Sequence, residues 1–423
     1  MARIALYGAG GSPYHHAAIL ARAGHAVAFV FPADIIGGAL AGFDAFVMPG
    51  GGYRAMQGQL EPLGAVGCRS IRDYVAGGGT YIGSCAGSYD AATVPARFLR
   101  VCPEQAELCL LEARVWNDGE SVLGVIQSPG IGELEAVNAA PEHPVMAGMP
   151  ATFRITHYNG PLFVGGHALA RVGGPTSKFT PAEEFLQPAT APRLIDQAVE
   201  AGVANIVAGE FGAGKVVLFG SHPEFGSSLA MDDVGIAATM LRNAVAWAGD
   251  GQRDVRATLA DRPVPDAVRD ADLHRLPQLV DEIAARCAAL SKREEPPWLA
   301  PSAAMALFGR TGAEVWADAL RQLPAFAAAA AAGAPDLGTP LLSYRPPADW
   351  SVDGGFHGVV PLLEQAVGLL ARAEENWSGS YRAEDPYEHL RDSQYHLVAG
   401  SYLAAVGRAA SAALLTRMTP PRA

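Results

Sequence analysis

The chain contains 423 residues, and this length predicts two or three domains, because one domain commonly spans about 100–200 residues. Apolar residues make up 50% of the sequence and charged residues 17%, a balance that favours a large buried core and excludes global disorder. The formal net charge is −12, and neither half carries an excess of basic residues. We therefore expect no nucleic-acid partner.

Compartment and membrane signals are sparse. The first apolar run ends at Gly8, which indicates a β-strand in place of a signal peptide. No apolar run approaches the length of about 18 residues that a membrane span requires, so we expect no membrane association. The five cysteines are odd in number and lack Cys-x-x-Cys spacing, which predicts a reducing, cytoplasmic location.

The first 250 residues alternate short apolar runs with glycine-rich breaks and helical patterns. The predicted buried strands are residues 3–8, 25–31, 44–48 and 80–84. Helical patterns cover residues 17–23 and 66–76, a hairpin joins 204–211 to 215–220, and a final helix covers 234–247. This alternation predicts an α/β domain over residues 1–250 with a doubly wound, mostly parallel sheet.

The character of the chain changes after residue 250. Residues 251–265 are polar and contain proline, which is typical of a linker. Residues 266–423 predict a mostly α-helical domain, with helical periods at 276–290, 302–332, 358–376 and 387–418. The role of this domain stays open.

A candidate nucleophile follows the fourth predicted strand, in the sequence Gly83-Ser84-Cys85-Ala86-Gly87. Small residues on both sides of Cys85 permit the sharp strand-to-helix turn of a nucleophile elbow. The positive end of the following helix dipole would favour a negative charge there. The alternative is a structural cysteine packed against a tight turn.

A candidate base follows the last predicted strand, in the sequence Ser221-His222-Pro223-Glu224. Parallel strands place their carboxyl ends at one edge of a sheet, so this histidine can meet Cys85 there. We predict a triad in which His222 is the base and Glu224 orients its imidazole.

Backbone amides can complete such a site. The N–H of Ala86 is one predicted oxyanion donor, and Gly51 or Gly52 in the loop after residue 48 supplies the second. A plain connecting turn is the alternative interpretation of that glycine loop.

These motifs resemble the class I glutamine amidotransferase-like superfamily, whose members use a Cys-His-Glu triad in this chain order. The closest likeness is to the amidotransferase-like N-terminal domain of biotin-protein ligases. It rests on four motifs, which are residues 48–52, 78–89, 158–161 and 222–224. The resemblance implies a flavodoxin-like amidotransferase fold for residues 1–250.

Two features differ from the pattern of the superfamily. Ser88 and Tyr89 follow Gly87, where glutamine amidotransferases usually carry a glutamine, so a glutamine pocket is not implied. The second half has no biotin-ligase signature, so biotin transfer is not implied either.

Four side chains near these motifs are candidates for substrate binding, namely Tyr53, Tyr89, Tyr158 and Asn159. An ordinary Asn-Gly turn beside a packed histidine is the alternative for the last two.

We expect no cofactor and no metal. The loop of residues 8–12 lacks the third glycine of a dinucleotide fingerprint. Four histidines of the helical half invite a metal interpretation, but isolated histidines on helices are usually solvated or satisfied in the core; they are His274, His357, His389 and His396. The alanine-rich helices of this half indicate packing, a lid or a dimer surface.

The sequence thus supports three functional hypotheses. The first is a cysteine-dependent amide hydrolase or amidotransferase-like enzyme that acts on a small-molecule amide. Glutamine is a candidate substrate, and the ammonia released from it would require an acceptor or a partner protein. The second is a binding or scaffold module with a vestigial triad. The third is a hydrolase or peptidase acting on another amide.

Overall fold

The computed structural model describes residues 1–51, 56–121, 124–182, 193–225, 235–249, 266–293, 312–336, 342–345 and 355–377. The predicted linker at 251–265, the predicted helix at 387–418 and residues 52 and 53 of the glycine loop lie outside the described residues.

A mixed sheet dominates the N-terminal part, and its parallel half was predicted from the sequence. The parallel strands are β1 Arg3–Tyr7, β2 Ala26–Val30, β3 Ala45–Met48 and β4 Thr80–Ser84, joined by the later β14 Gly214–Phe219. They lie in the order β2-β1-β3-β4-β14. Strand β1 pairs with β2 on one side and with β3 on the other, so the strand order reverses between β1 and β3. In open α/β sheets, ligands bind at such a switch point.

The other half of the sheet is antiparallel and was not predicted in detail. In chain order the remaining strands are β5 Ala92–Thr93, β6 Leu111–Val115, β7 Asp118–Ser121, β8 Gly124–Ile126, β9 Gly130–Asn138, β10 Thr152–Tyr158, β11 Phe163–Gly165, β12 His167–Pro181 and β13 Ala204–Phe211. Beyond β14 the sheet continues in the order β13-β12-β9-β10. The smaller strands β5, β6 and β11 pair at its side, and β7 and β8 form a separate two-stranded ribbon.

Helices pack beside this sheet. They are α1 Pro13–Arg22, α2 Pro32–Ile36, α3 Met56–Leu60, α4 Gly64–Ala76, α5 Ala86–Ala91, α6 Ala96–Val101, α7 Gln105–Leu108, α8 Leu194–Glu200 and α9 Ala238–Ala248. The parallel strands are buried almost throughout, as strands covered on both faces are. This α/β architecture confirms the predicted fold class.

The C-terminal part is helical, as predicted. Helices α10 Asp266–Leu290, α11 Gly312–Gly333 and α12 Val359–Trp377 pack against one another. Arg345, which follows α11 in the chain, donates to both carboxylate oxygens of Asp272 on α10 at 2.9 Å. None of the described helices is long and apolar enough to cross a membrane.

A short segment of the helical part, residues 355–357, binds the loop after β1. The N–H groups of Gly355 and Phe356 donate to the carbonyl oxygens of Gly11 and Gly8, each at 2.8 Å. The Phe356 ring stacks on Phe29 with the ring centres 4.4 Å apart. We call this contact the clasp, and it joins the helical part to the switch-point edge of the sheet.

Candidate active site

Cys85 lies where β4 turns into α5. Its backbone has φ 48° and ψ −108°, a left-handed conformation that is uncommon outside glycine and marks a strained turn. Its N–H donates to the Phe219 carbonyl oxygen at 2.8 Å, which fixes the elbow to the end of β14. The residue therefore has the backbone geometry predicted for a nucleophile elbow.

Glycines around the elbow leave no room for side chains. A methyl group on Gly87 would lie 2.3 Å from the Met48 carbonyl oxygen, and one on Gly83 would lie 2.5 Å from the Gly87 oxygen. A methyl group on Gly50 would lie 2.6 Å from Cys85 Cβ and 2.8 Å from His222 Cε1. The backbone of Gly50 therefore lies directly against both Cys85 and His222.

His222 follows β14 and is held by its neighbours. Its N–H donates to the Thr156 carbonyl oxygen at 2.8 Å, and its ring stacks on Phe225 with centres 4.4 Å apart. Its Nδ1 lies 2.7 Å from Glu224 Oε1, a hydrogen bond that orients the imidazole. His222 and Glu224 are both fully buried, so water does not weaken this contact.

The electrostatics of the pair follow from its burial and charges. Burial by itself lowers the pKa of His222, but the nearby Cys85 and Glu224 outweigh it and raise the pKa above the ordinary value. Burial raises the pKa of Glu224, whereas His16 and His222 more than offset it and lower the pKa. The arrangement favours an imidazolium beside an ionised carboxylate.

The Cys85 thiol lies close enough to the His222 imidazole to raise the pKa of that ring, and it also donates a hydrogen bond to the Tyr158 carbonyl oxygen at 3.3 Å. Among the described residues, His222 Nε2 has no hydrogen-bond partner. Cys85 and His222 nevertheless lie side by side against Gly50, the juxtaposition that proton exchange between a nucleophile and a base requires.

Histidine 16 was not predicted as part of the site, because its position in the first turn of α1 gives no sequence signal. Its Nε2 lies 3.5 Å from Glu224 Oε2 and 3.0 Å from Ser84 Oγ, and its side chain is completely buried. It touches both the carboxylate of the predicted triad and the residue before Cys85.

Two of the three predicted oxyanion donors, Ala86 and Gly51, lie among the described residues. Ala86 begins α5, and an N–H at that position has no acceptor within the helix. Gly51 is half-buried with φ 77°, in the loop that follows β3. Gly52 lies outside the described residues.

The predicted substrate-binding side chains have different surroundings. Tyr89 is buried, and its hydroxyl donates to the Asn159 carbonyl oxygen at 3.3 Å and accepts from Asn117 Nδ2 at 3.0 Å. Asn159 adopts φ 54°, and its side-chain oxygen accepts a hydrogen bond from the Ser128 hydroxyl. Tyr158 is half-buried beside Cys85, whereas Tyr53 lies outside the described residues.

Asn117 was not predicted from the sequence, and its side-chain amide binds the backbone next to Tyr158 and Asn159. Its amide nitrogen also donates to the Gln127 and Gly160 carbonyl oxygens, and its oxygen accepts from the Leu162 N–H at 2.8 Å. One buried amide thus holds the turn that carries Tyr158 and Asn159.

The two histidines of the helical part that the structure describes lie in different surroundings. His274 Nδ1 lies 2.7 Å from the Asp270 carbonyl oxygen on the surface of α10, and His357 is buried in the clasp. Within the described ranges no group of three metal-ligating side chains occurs. His389 and His396 lie outside those ranges.

Comparisons with known structures give distant likenesses. A protein described as ThuA-like from Parabacteroides merdae is 16% identical, with a TM-score of 0.35, over 62% of this chain and 92% of that one. A second ThuA-like protein, from Bacteroides uniformis, is 13% identical, with a TM-score of 0.31, over 60% and 94%. Likenesses at this level say nothing about the chemistry of the present chain. No curated protein matches it.

A family model gives the more informative match. The model described as biotin-protein ligase, N terminal, matches residues 41–98, a segment that includes the glycine loop and Cys85 but neither His222 nor Glu224. This match confirms the predicted resemblance: residues 41–98 are similar to the N-terminal domain of biotin-protein ligases, with its glutamine amidotransferase-like fold.

Proposed function

We propose that the protein is a cysteine-dependent amide hydrolase or amidotransferase-like enzyme. The observation that carries this proposal is the placement of Cys85 on a strained elbow beside His222, whose Nδ1 is bound by Glu224 at 2.7 Å. A nucleophile, a base and a group that orients the base are the three parts that covalent amide chemistry requires.

In the proposed reaction, the Cys85 sulfur attacks the amide carbon and forms the carbon–sulfur bond of a tetrahedral intermediate. The thiol proton resides on His222 before the attack, so Cys85 reacts as the thiolate, and the His222 imidazolium gives that proton to the leaving nitrogen as the carbon–nitrogen bond breaks. The N–H groups of Ala86 and Gly51, with Gly52 as the alternative, stabilise the oxyanion. Water then hydrolyses the acyl-enzyme to an acid and restores the thiol.

The substrate is proposed to be a small-molecule amide, and glutamine is the first to test because the fold resembles glutamine-using enzymes. Hydrolysis of glutamine releases ammonia, so an acceptor in the helical part or in a partner protein would complete the reaction. The proposed location is a reducing cytoplasm, in keeping with five free cysteines.

Ammonia release from glutamine, compared between the wild-type chain and Cys85→Ala, tests this function. We expect release by the wild type and a loss of at least 1,000-fold in the variant, about the contribution of a covalent nucleophile. Release that survives the substitution would contradict the mechanism. A panel of other small amides and peptides in the same assay distinguishes a hydrolase or peptidase with another substrate.

A binding or scaffold module is the second candidate. Its supporting observations are that the Cys85 thiol donates a hydrogen bond to the Tyr158 carbonyl oxygen and that His222 Nε2 has no hydrogen-bond partner among the described residues. This alternative predicts no turnover of any amide and a Cys85 thiol no more reactive than a model thiol.

A further inference from the structure

The carboxylate of Glu224 has two oxygens with different surroundings. Oε1 has a hydrogen-bond partner, because His222 Nδ1 lies 2.7 Å from it. Oε2 is buried and has no hydrogen-bond partner among the described residues. An ionised oxygen without a donor is costly in a protein interior, so its nearest polar neighbours matter.

His16 is such a neighbour. Its Nε2 lies 3.5 Å from Glu224 Oε2, and both side chains are completely buried. The same nitrogen lies 3.0 Å from Ser84 Oγ, so His16 contacts the carboxylate and the residue that precedes Cys85. It therefore bridges the two strand ends that carry the candidate nucleophile and the candidate base.

These contacts indicate which ring nitrogen of His16 carries the proton. A lone pair on Nε2 would face the negative oxygen of Glu224, whereas an Nε2–H faces two acceptors, the carboxylate and the Ser84 hydroxyl oxygen. Burial lowers the pKa of His16 despite the opposing charge of Glu224, which favours a neutral ring. The Nε2–H tautomer directs a donor at both neighbours, with Ser84 Oγ as the hydrogen-bond acceptor at 3.0 Å and Glu224 Oε2 in a longer electrostatic contact at 3.5 Å.

We propose that His16 is a positioning residue of the Cys85–His222–Glu224 site, and that its neutral Nε2–H holds the second oxygen of the Glu224 carboxylate. This inference rests on the proposed function for its chemical purpose. Glu224 is then fixed from two sides, by His222 and by His16. A carboxylate fixed in this way keeps the His222 imidazole oriented and stabilises its protonated form.

Titration of His222 by imidazole NMR tests the inference without requiring turnover. The ionisable groups near this ring among the described residues are Cys85, Glu224, His16 and His157. In His16→Phe the ring volume stays but the donor is lost, so the protonation midpoint of His222 should fall by at least one pH unit, a tenfold change in its protonation equilibrium. In His16→Gln a terminal N–H remains in reach, and the midpoint should return to the wild-type value.

Two further variants keep the test decisive. His16→Asn keeps a polar side chain but is too short to place a donor at the Nε2 position, so it should reproduce the fall even if His16→Phe does not fold. His25→Gln is the control, because His25 precedes the first residue of β2, at the opposite end of the parallel strands from Cys85 and His222. The control should leave the His222 midpoint in place.

The outcomes separate this inference from the proposed function. An unchanged His222 midpoint in both His16→Phe and His16→Asn would overturn the role of His16, whatever the activity of the wild type. A fall in these variants with rescue by His16→Gln would support it even if no amide is hydrolysed. Ammonia release that depends on Cys85 tests the proposed function and does not test the role of His16.

Discussion

At the scale of single residues, the site depends on how closely backbone and side chains approach each other. Gly50 provides the clearest case, because its backbone lies against both Cys85 and His222. Gly51 and Gly52 were predicted as oxyanion donors, whereas no role was predicted for Gly50. Close approach cannot be predicted from a run of glycines, since each of them fits a turn equally well.

Gly50→Ala should therefore damage the site without changing any reacting group. The new methyl group would lie 2.6 Å from Cys85 Cβ, so the thiol or the loop must move by about 1 Å. A displacement of that size costs about 100-fold in the rate of a positioned reaction. The measurement is Cys85-dependent amide hydrolysis, or Cys85 alkylation if the substrate is unknown.

Gly368→Ala is the matched control for this experiment. Gly368 lies in α12, and a methyl group there would meet no atom within 4 Å. Activity should be unchanged and stability slightly raised, by up to about 1 kcal/mol, as expected for alanine in a helix. Equal activity in Gly50→Ala and Gly368→Ala would contradict the close packing of the glycine loop on Cys85.

At the scale of elements, three strand ends carry the site. The loop after β3 supplies the glycines, the elbow after β4 supplies Cys85, and the end of β14 supplies His222. These strands are neighbours in the sheet, which is why residues far apart in the chain meet. The clasp adds a fourth contribution, since residues 355–357 bind the loop before α1, the helix that carries His16.

The clasp should contribute strongly to the stability of the protein. The Phe356 ring is buried and packs against Phe29, Tyr14 and Tyr344. Phe356→Ala should lower the free energy of unfolding by about 3–5 kcal/mol, the usual cost of removing a buried aromatic ring. Urea unfolding followed by circular dichroism measures this change.

Val268→Ala controls for the loss of an apolar group elsewhere in the helical part. Val268 is exposed on α10, so its truncation should change the unfolding free energy by no more than about 0.5 kcal/mol. A Phe356→Ala variant as stable as this control would mean that the clasp does not form.

The strands differ in how well they could be predicted from the sequence. The strand at 80–84 and the strand at 204–211 match the structure residue for residue, because short apolar runs bounded by glycine identify buried strands. None of the antiparallel strands between β4 and β13 was predicted. Strand β12, for example, has register shifts against β9 and includes Gly173, Gly174 and Pro175, so its pattern does not read as a continuous strand.

The same contrast holds within the site. Cys85, His222 and Glu224 could be predicted because each follows a recognisable strand end in a recognisable motif. His16 and Asn117 could not, since their contacts are made by side chains of distant segments that only the folded chain brings together.

At the scale of the whole molecule, buried histidines couple stability to pH. Burial lowers the pKa of His157 to about 3 and that of His357 to about 4, with the charge of His222 adding to the effect on His157. Both rings are neutral in the folded protein and become protonated in the unfolded chain below about pH 6.5. Unfolding therefore takes up protons, and stability falls as the pH drops below that value.

Replacing His357 should weaken this acid sensitivity. Between pH 6.5 and 4.5 the wild type should lose about 2 kcal/mol more unfolding free energy than His357→Gln, which has no proton to gain. Urea unfolding of both proteins at the two pH values measures the difference. Parallel losses in the two proteins would contradict the assignment of His357 as a buried neutral ring.

The central claim is that Cys85 is an activated nucleophile, and its alkylation rate tests this most directly. The wild type and His222→Gln would be treated with iodoacetamide near neutral pH and each cysteine followed by mass spectrometry, with a model thiol as reference. We predict that Cys85 reacts at least tenfold faster than the model thiol and that His222→Gln abolishes this advantage. A Cys85 that reacts no faster than the model thiol in the wild type would contradict the account and favour the binding module.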